Sequence, residues 1–88
     1  MDISPEIIAQ LEAVLFASGV PQNIDRIAKT LRISKDEAFS AIDALETRYR
    51  VLESGLTLMR LGDAVQIATK GEYASVLEHV HRWEVAED

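Results

Sequence analysis

The chain has 88 residues, 48% of them hydrophobic and 27% charged, which suits one small globular domain rather than a disordered or fibrous chain. It has no cysteine, and this excludes disulfides, thiolate zinc sites and a cysteine nucleophile together. Its net charge of −6 sets long-range repulsion against DNA, RNA and anionic membranes.

The N-terminus opens Met1-Asp2 without a basic segment, and the longest unbroken apolar run is Ala13 to Ala17. No signal peptide or transmembrane helix is therefore expected, and the expected location is cytoplasmic. Ser4 is an N-cap with Pro5 at the first helical position, and Ile3 is placed to staple onto the first turn. The first helix runs to about Ser18 and ends at Gly19 and Pro21. Ile7, Ile8, Leu11, Val14 and Leu15 form its apolar stripe. The opposite side is apolar as well, with Ala9, Ala13 and Phe16, leaving Glu6, Gln10 and Glu12 as the clearly solvated positions. A helix apolar nearly all round is covered on two sides, either within its own domain or by another chain.

Asn23 caps a second helix in which Ile24, Ile27, Ala28 and Leu31 repeat at helical spacing. After a turn at Arg32-Ile33, Ser34-Lys35-Asp36-Glu37 forms a capping box for a third helix. Its stripe is Ala38, Ile42, Leu45, Tyr49 and Leu52, flanked by Phe39. Past Gly55 the period becomes two. Leu56 to Leu61 and Ala64 to Thr69 flank Gly62-Asp63, a two-residue loop with glycine first, as a type II′ hairpin prefers. A last helical segment from Glu72 carries Tyr73, Val76, Leu77 and Val80 on one face, with Trp83 at its edge. The expected fold is α+β, mostly α: a winged helix-turn-helix with one β-hairpin wing, occupying residues 1–83, with an acidic, frayed end over 84–88.

That fold commonly reads DNA with its third helix, so the polar face of that helix is decisive. It carries Asp36, Ser40, Asp43 and Thr47, with Arg50 on the margin. Base and phosphate recognition need Arg, Lys, Asn or Gln there, whereas each carboxylate adds repulsion. The wing tip, Gly62-Asp63, has only Arg60 nearby. Sequence-specific DNA binding is not expected, and a small DNA-binding transcription regulator is the alternative reading, testable at Arg60 and Lys70.

Catalysis finds no anchor. The glycines stand singly at 19, 55, 62 and 71, so no phosphate loop exists, and no serine lies in an activating motif. His79 and His81 stand on roughly opposite sides of a helix at about 100° per residue, which rules out one shared metal ion. No catalytic residue, cofactor or metal site is assigned. What remains is apolar surface. On the first hairpin strand, Leu56 and Leu58 point one way and Thr57, Met59 and Leu61 the other, more than a half-buried hairpin needs. The last helix could sandwich the hairpin, or Ala9, Ala13, Phe16, Met59 and Leu61 could form a protein-interaction surface.

These residues resemble a known family, the N-terminal winged-helix domain of segregation and condensation protein ScpB. The resemblance runs through Leu11-Glu12-Ala13-Val14-Leu15-Phe16-Ala17-Ser18-Gly19 with Pro21, through Ile24, Ile27, Ala28 and Leu31, and through Gly55-Leu56 and Leu58. It ends on Gln66-Ile67-Ala68-Thr69-Lys70 with Glu72-Tyr73. Gly71 stands where the family often has proline, and Val65 where it often has an aromatic residue. The resemblance implies a non-catalytic accessory subunit of the bacterial SMC–kleisin complex. Such a subunit homodimerises, binds the kleisin ScpA and through it SMC, and acts at the nucleoid in chromosome condensation and segregation.

Overall fold

The computed structural model describes residues 3–51 and 53–86, with side chains placed as far as Val80. Helix α1 spans Pro5–Ser18. The Ser4 hydroxyl accepts from the Ile7 N–H at 3.2 Å, satisfying one of the donors a helix start leaves open. At the other end Gly19 takes the left-handed conformation (φ 67°) and its N–H returns to the Leu15 carbonyl. A side chain at that φ would be strained, which is why glycine stops the helix there.

A two-residue strand, β1 (Gln22–Asn23), leads into α2 (Ile24–Leu31). Asn23 caps α2 by accepting from the Asp25 N–H at 2.8 Å. Helix α2 ends at Arg32, a non-glycine residue at φ 57°. Helix α3 spans Lys35–Val51 and starts on the expected reciprocal box. The Ser34 hydroxyl accepts from the Glu37 N–H at 3.1 Å, and the Glu37 carboxylate accepts from the Ser34 N–H at 3.0 Å. Leu52, expected on its stripe, lies outside the described residues.

Strands β2 (Leu56–Leu61) and β3 (Ala64–Thr69) pair antiparallel, with Leu61 opposite Ala64 across the Gly62-Asp63 loop. Gly62 is at φ 62° and Asp63 is not among the positive-φ residues, as a type II′ turn requires. The wing is more than the expected hairpin. Gln22 pairs with Val65 and Asn23 with Ala64, giving a three-stranded antiparallel sheet in the order β1-β3-β2. A short 3₁₀ turn, Gly71–Tyr73, precedes α4 (Ala74–Ala86). The expected end over 84–88 has no described side chains, and residues 87–88 lie wholly outside the described residues.

The core collects one stripe from each of the first three helices and the inner face of the sheet. Leu11, Leu15, Ile27, Ile42, Leu45 and Val65 are fully buried, with Leu58 close to it. Burying each such side chain is worth about 1.5–3 kcal/mol. Helix α1 lies against α3, α2 and β3, and α3 also supports β2. Helix α4 rests mainly on the 3₁₀ turn before it, and the molecule is elongated, 46 × 26 × 24 Å.

Candidate functional site

The stripe of α1 that faces the core is Ile8, Leu11 and Leu15. Ala9, Ala13 and Phe16 fall at i, i+4 and i+7 on the other side, and the structure leaves all three exposed. Phe16 is 73% exposed, so the second apolar side of α1 is not covered within its own domain. These residues border a groove of about 240 Å³ whose other walls are Glu12, Tyr49, Leu56 and Ile67. A second recess of about 250 Å³ continues from it along the end of α1, bounded by Leu15, Phe16, Gly19, Leu56, Ile67, Ala68 and Thr69. Phe16, Leu56 and Ile67 belong to both, so the phenyl ring stands as the partition of one continuous apolar trough.

The far wall follows from strand register. Leu58 lies opposite Ile67 and Leu56 opposite Thr69, so Leu56, Leu58, Val65 and Ile67 share the inner face of the sheet. Leu58 and Val65 are buried beneath α3 and α1, while Leu56 and Ile67, nearer the open end, remain half-buried at the trough. The alternation in the sequence puts Leu56 and Leu58 on one face of the strand without saying which, and it does not assign Leu56, Ile67 or Tyr49 to the interaction surface. Alternation marks a face, and only the position of α1 decides where that face opens to solvent.

Glu12 corrects an expectation. It was expected to be solvated, yet it is half-buried and accepts a hydrogen bond from the Tyr49 hydroxyl at 2.6 Å. Burial, followed by the hydrogen bond to and the charge of Glu12, raises the Tyr49 pKa well above the usual tyrosine value. This bond ties α1 to α3 and places a polar edge beside the apolar trough.

Met59 and Leu61 are exposed, at 44% and 48%, but the structure does not bring them to the trough. With Thr57 they occupy the outer face of β2, opposite the face that carries Leu56 and Leu58. The five expected interaction residues are thus two patches. The alternative in which the last helix covers the hairpin does not hold, because α4 rests chiefly on the 3₁₀ turn. Tyr73, Val76, Leu77 and Val80 on α4 are all exposed. His79 is exposed too; the side chains of His81 and Trp83 lie outside those described.

The helix-turn-helix face is acidic in space as well as in sequence. Arg60 of the wing donates to Asp43 at 2.6 Å and to Glu46 at 3.2 Å, both on α3. The Asp43 hydrogen bond leads in raising the Arg60 pKa. The guanidinium nearest the wing tip is thereby already neutralised by the helix that would have to enter a DNA groove. Among the described residues no group of three or more His, Asp or Glu side chains is placed to hold a metal ion. No helix among them is long and apolar enough to cross a membrane.

The family model for segregation and condensation complex subunit ScpB matches residues 9–87. Segregation and condensation protein B of Geobacillus thermodenitrificans (strain NG80-2) is 39% identical over 71 residues, 80% of this chain and 34% of that protein. The chain spans about a third of the length of the first curated relatives it matches. A crystal structure of a dimer of an ScpB N-terminal domain complexed with an ScpA peptide is similar with a TM-score of 0.80 and 36% identity. That match covers 85% of this chain and 87% of the other. ScpB from Mycobacterium tuberculosis matches with a TM-score of 0.86 over 97% of this chain and 54% of the other, at 16% identity, which speaks to the fold alone.

Proposed function

The chain belongs to the family of segregation and condensation complex subunit ScpB, and on that premise we propose that it is a non-catalytic interaction module of a bacterial SMC–kleisin complex. It self-associates, binds the kleisin ScpA, and acts through that assembly in chromosome condensation and segregation in the cytoplasm, at the nucleoid. The domain is the winged helix-turn-helix of residues 1–83, and its candidate contact residues are Ala9, Ala13, Phe16, Met59 and Leu61.

The observation that carries this reading is Phe16. A phenyl ring 73% exposed, beside two alanines and a trough walled by Leu56 and Ile67, is apolar surface of the kind a partner covers. The DNA alternative loses its support at the same time. The polar face of α3 carries Asp36 and Asp43, and Asp43 and Glu46 hold the wing arginine. The similar domain of known structure is a dimer with an ScpA peptide, the two partners this reading assigns.

Fluorescence anisotropy with a labelled ScpA peptide, and separately with a labelled duplex at ~150 mM salt, where charges beyond about 8 Å are screened, tests the reading. The peptide is expected to bind and the duplex not to. Duplex binding whose affinity falls steeply with salt and depends on Arg60 or Lys70, with no response to peptide, contradicts it.

A further inference from the structure

Arg60 continues the inner face of β2 after Leu56 and Leu58 and lies opposite Val65. Its guanidinium turns onto α3, with Asp43 at 2.6 Å and Glu46 at 3.2 Å. These two residues stand one helical turn apart, so both carboxylates reach the same guanidinium from one side of α3. The wing is held in place without this clamp. Strand β1 pairs with β3, Leu58 and Val65 are buried under the sheet, and the Asp63 carbonyl at the tip accepts from the Ile24 N–H at 2.9 Å. All three side chains of the clamp are partly exposed, and ion pairs of that kind add little stability. The clamp therefore matters for charge more than for folding.

Asp43, Thr47 and Arg50 fall at i, i+4 and i+7 on the exposed side of α3. They span about 10 Å of helix at 1.5 Å per residue, beside a B-DNA major groove about 12 Å wide. Arg50 donates to the Thr47 hydroxyl at 3.2 Å, which turns its guanidinium along this side. Arg50 on the helix and Arg60 on the wing thus flank the place a duplex would take, and Asp43 and Glu46 stand between them.

We propose that Asp43 and Glu46 form an autoinhibitory contact. By holding Arg60 they close a DNA contact that the fold otherwise retains, and they, rather than the net charge of −6, keep the domain off duplex DNA. Charge spread over the surface is screened beyond about 10 Å at ~100 mM salt, whereas these two carboxylates would meet the phosphates directly. Repulsion aimed at one wrong ligand is an economical way to exclude it. The contact involves α3 and the wing alone and is independent of what fills the trough beside α1.

Asp43→Asn/Glu46→Gln releases Arg60 and replaces two anions with amides that donate to base edges and phosphates. Anisotropy of a labelled duplex at ~100 mM salt is expected to show binding at least tenfold tighter than the parent's, with the circular dichroism of the helices retained. Its log–log salt slope should lie near −2, about −0.9 for each phosphate met by Arg50 and Arg60. Adding Arg60→Gln should return the affinity to the parent's. Asp36→Asn/Asp63→Asn makes the same change in charge on the same helix and the wing tip without touching the clamp, and should leave the duplex unbound. Should the double variant lose its helical signal, Asp43→Asn alone, which frees the shorter contact, is expected to gain at least threefold. A folded variant that binds no better than the parent overturns the proposal. So does an equal gain in Asp36→Asn/Asp63→Asn, or a gain that survives Arg60→Gln, since either would make bulk charge the cause.

Discussion

Phe16→Asp separates packing within the domain from packing between copies. Full burial of a phenylalanine is worth about 1.5–3 kcal/mol, and 73% of this residue's surface is still exposed in the monomer. Covering that remainder gains about 1–2 kcal/mol per ring, or about 2–4 kcal/mol for the two rings of a symmetric dimer. The dimer dissociation constant should then rise roughly 30- to 900-fold. The same change does little to the monomer, because the helix propensities of Phe and Asp are similar. The main penalty is a carboxylate near the C-terminal end of α1, costing about 0.3–1 kcal/mol through the helix dipole. Leu11→Ala is the contrast: that side chain is wholly buried, and its loss costs about 2–5 kcal/mol of folding stability. Sedimentation equilibrium reads the first effect, and urea unfolding under monomeric conditions reads both. A Phe16→Asp monomer destabilised as much as Leu11→Ala would make Phe16 a core residue. A stable Phe16→Asp protein that dimerises as before would remove α1 from the interface.

Three further outcomes follow from particular contacts. The raised Tyr49 pKa means that the unfolded chain loses this proton near pH 10 while the folded chain keeps it. Its contribution to stability is thus present in full below pH 10 and declines as pH rises toward the shifted value; Tyr49→Phe should flatten that decline in urea titrations from pH 9 to 11. Ser34→Ala removes the acceptor for the Glu37 N–H and should lower stability by about 1 kcal/mol in thermal unfolding. Arg60→Gln breaks two partly exposed ion pairs and should cost less than ~1 kcal/mol, an effect that fades as salt rises; duplex binding should be as absent in the variant as in the parent.

The helix boundaries were readable wherever a terminator has a chemical signature. Ser4 and Pro5 start α1 and Gly19 ends it, Asn23 caps α2, and Ser34 with Glu37 opens α3. The Gly62-Asp63 turn set the register of the wing in the same way. Strand β1 escaped because two residues, Gln22 and Asn23, are too few to show a period and are defined only by pairing with Val65 and Ala64. The exposure of Ala9, Ala13 and Phe16 was legible as a surplus of apolar positions, but the trough was not, since Leu56, Ile67 and Tyr49 reach it from distant parts of the chain. Glu12 was misjudged for the same reason: its partner lies 37 residues away. The stripe on α4 reads as one to be buried, yet Tyr73, Val76, Leu77 and Val80 all stay exposed among the described residues.

On the proposed function, the domain meets its partner at the trough beside α1 rather than at the helix-turn-helix face. Amide chemical shifts of the isotopically labelled domain, followed as its concentration rises and then as duplex is added, test that claim residue by residue. Concentration-dependent shifts confined to Ala9, Glu12, Ala13, Phe16, Leu56 and Ile67 are expected, with no response to duplex. Shifts that instead appear along Asp36 to Thr47 on addition of duplex, with the α1 amides unmoved by concentration, would contradict it.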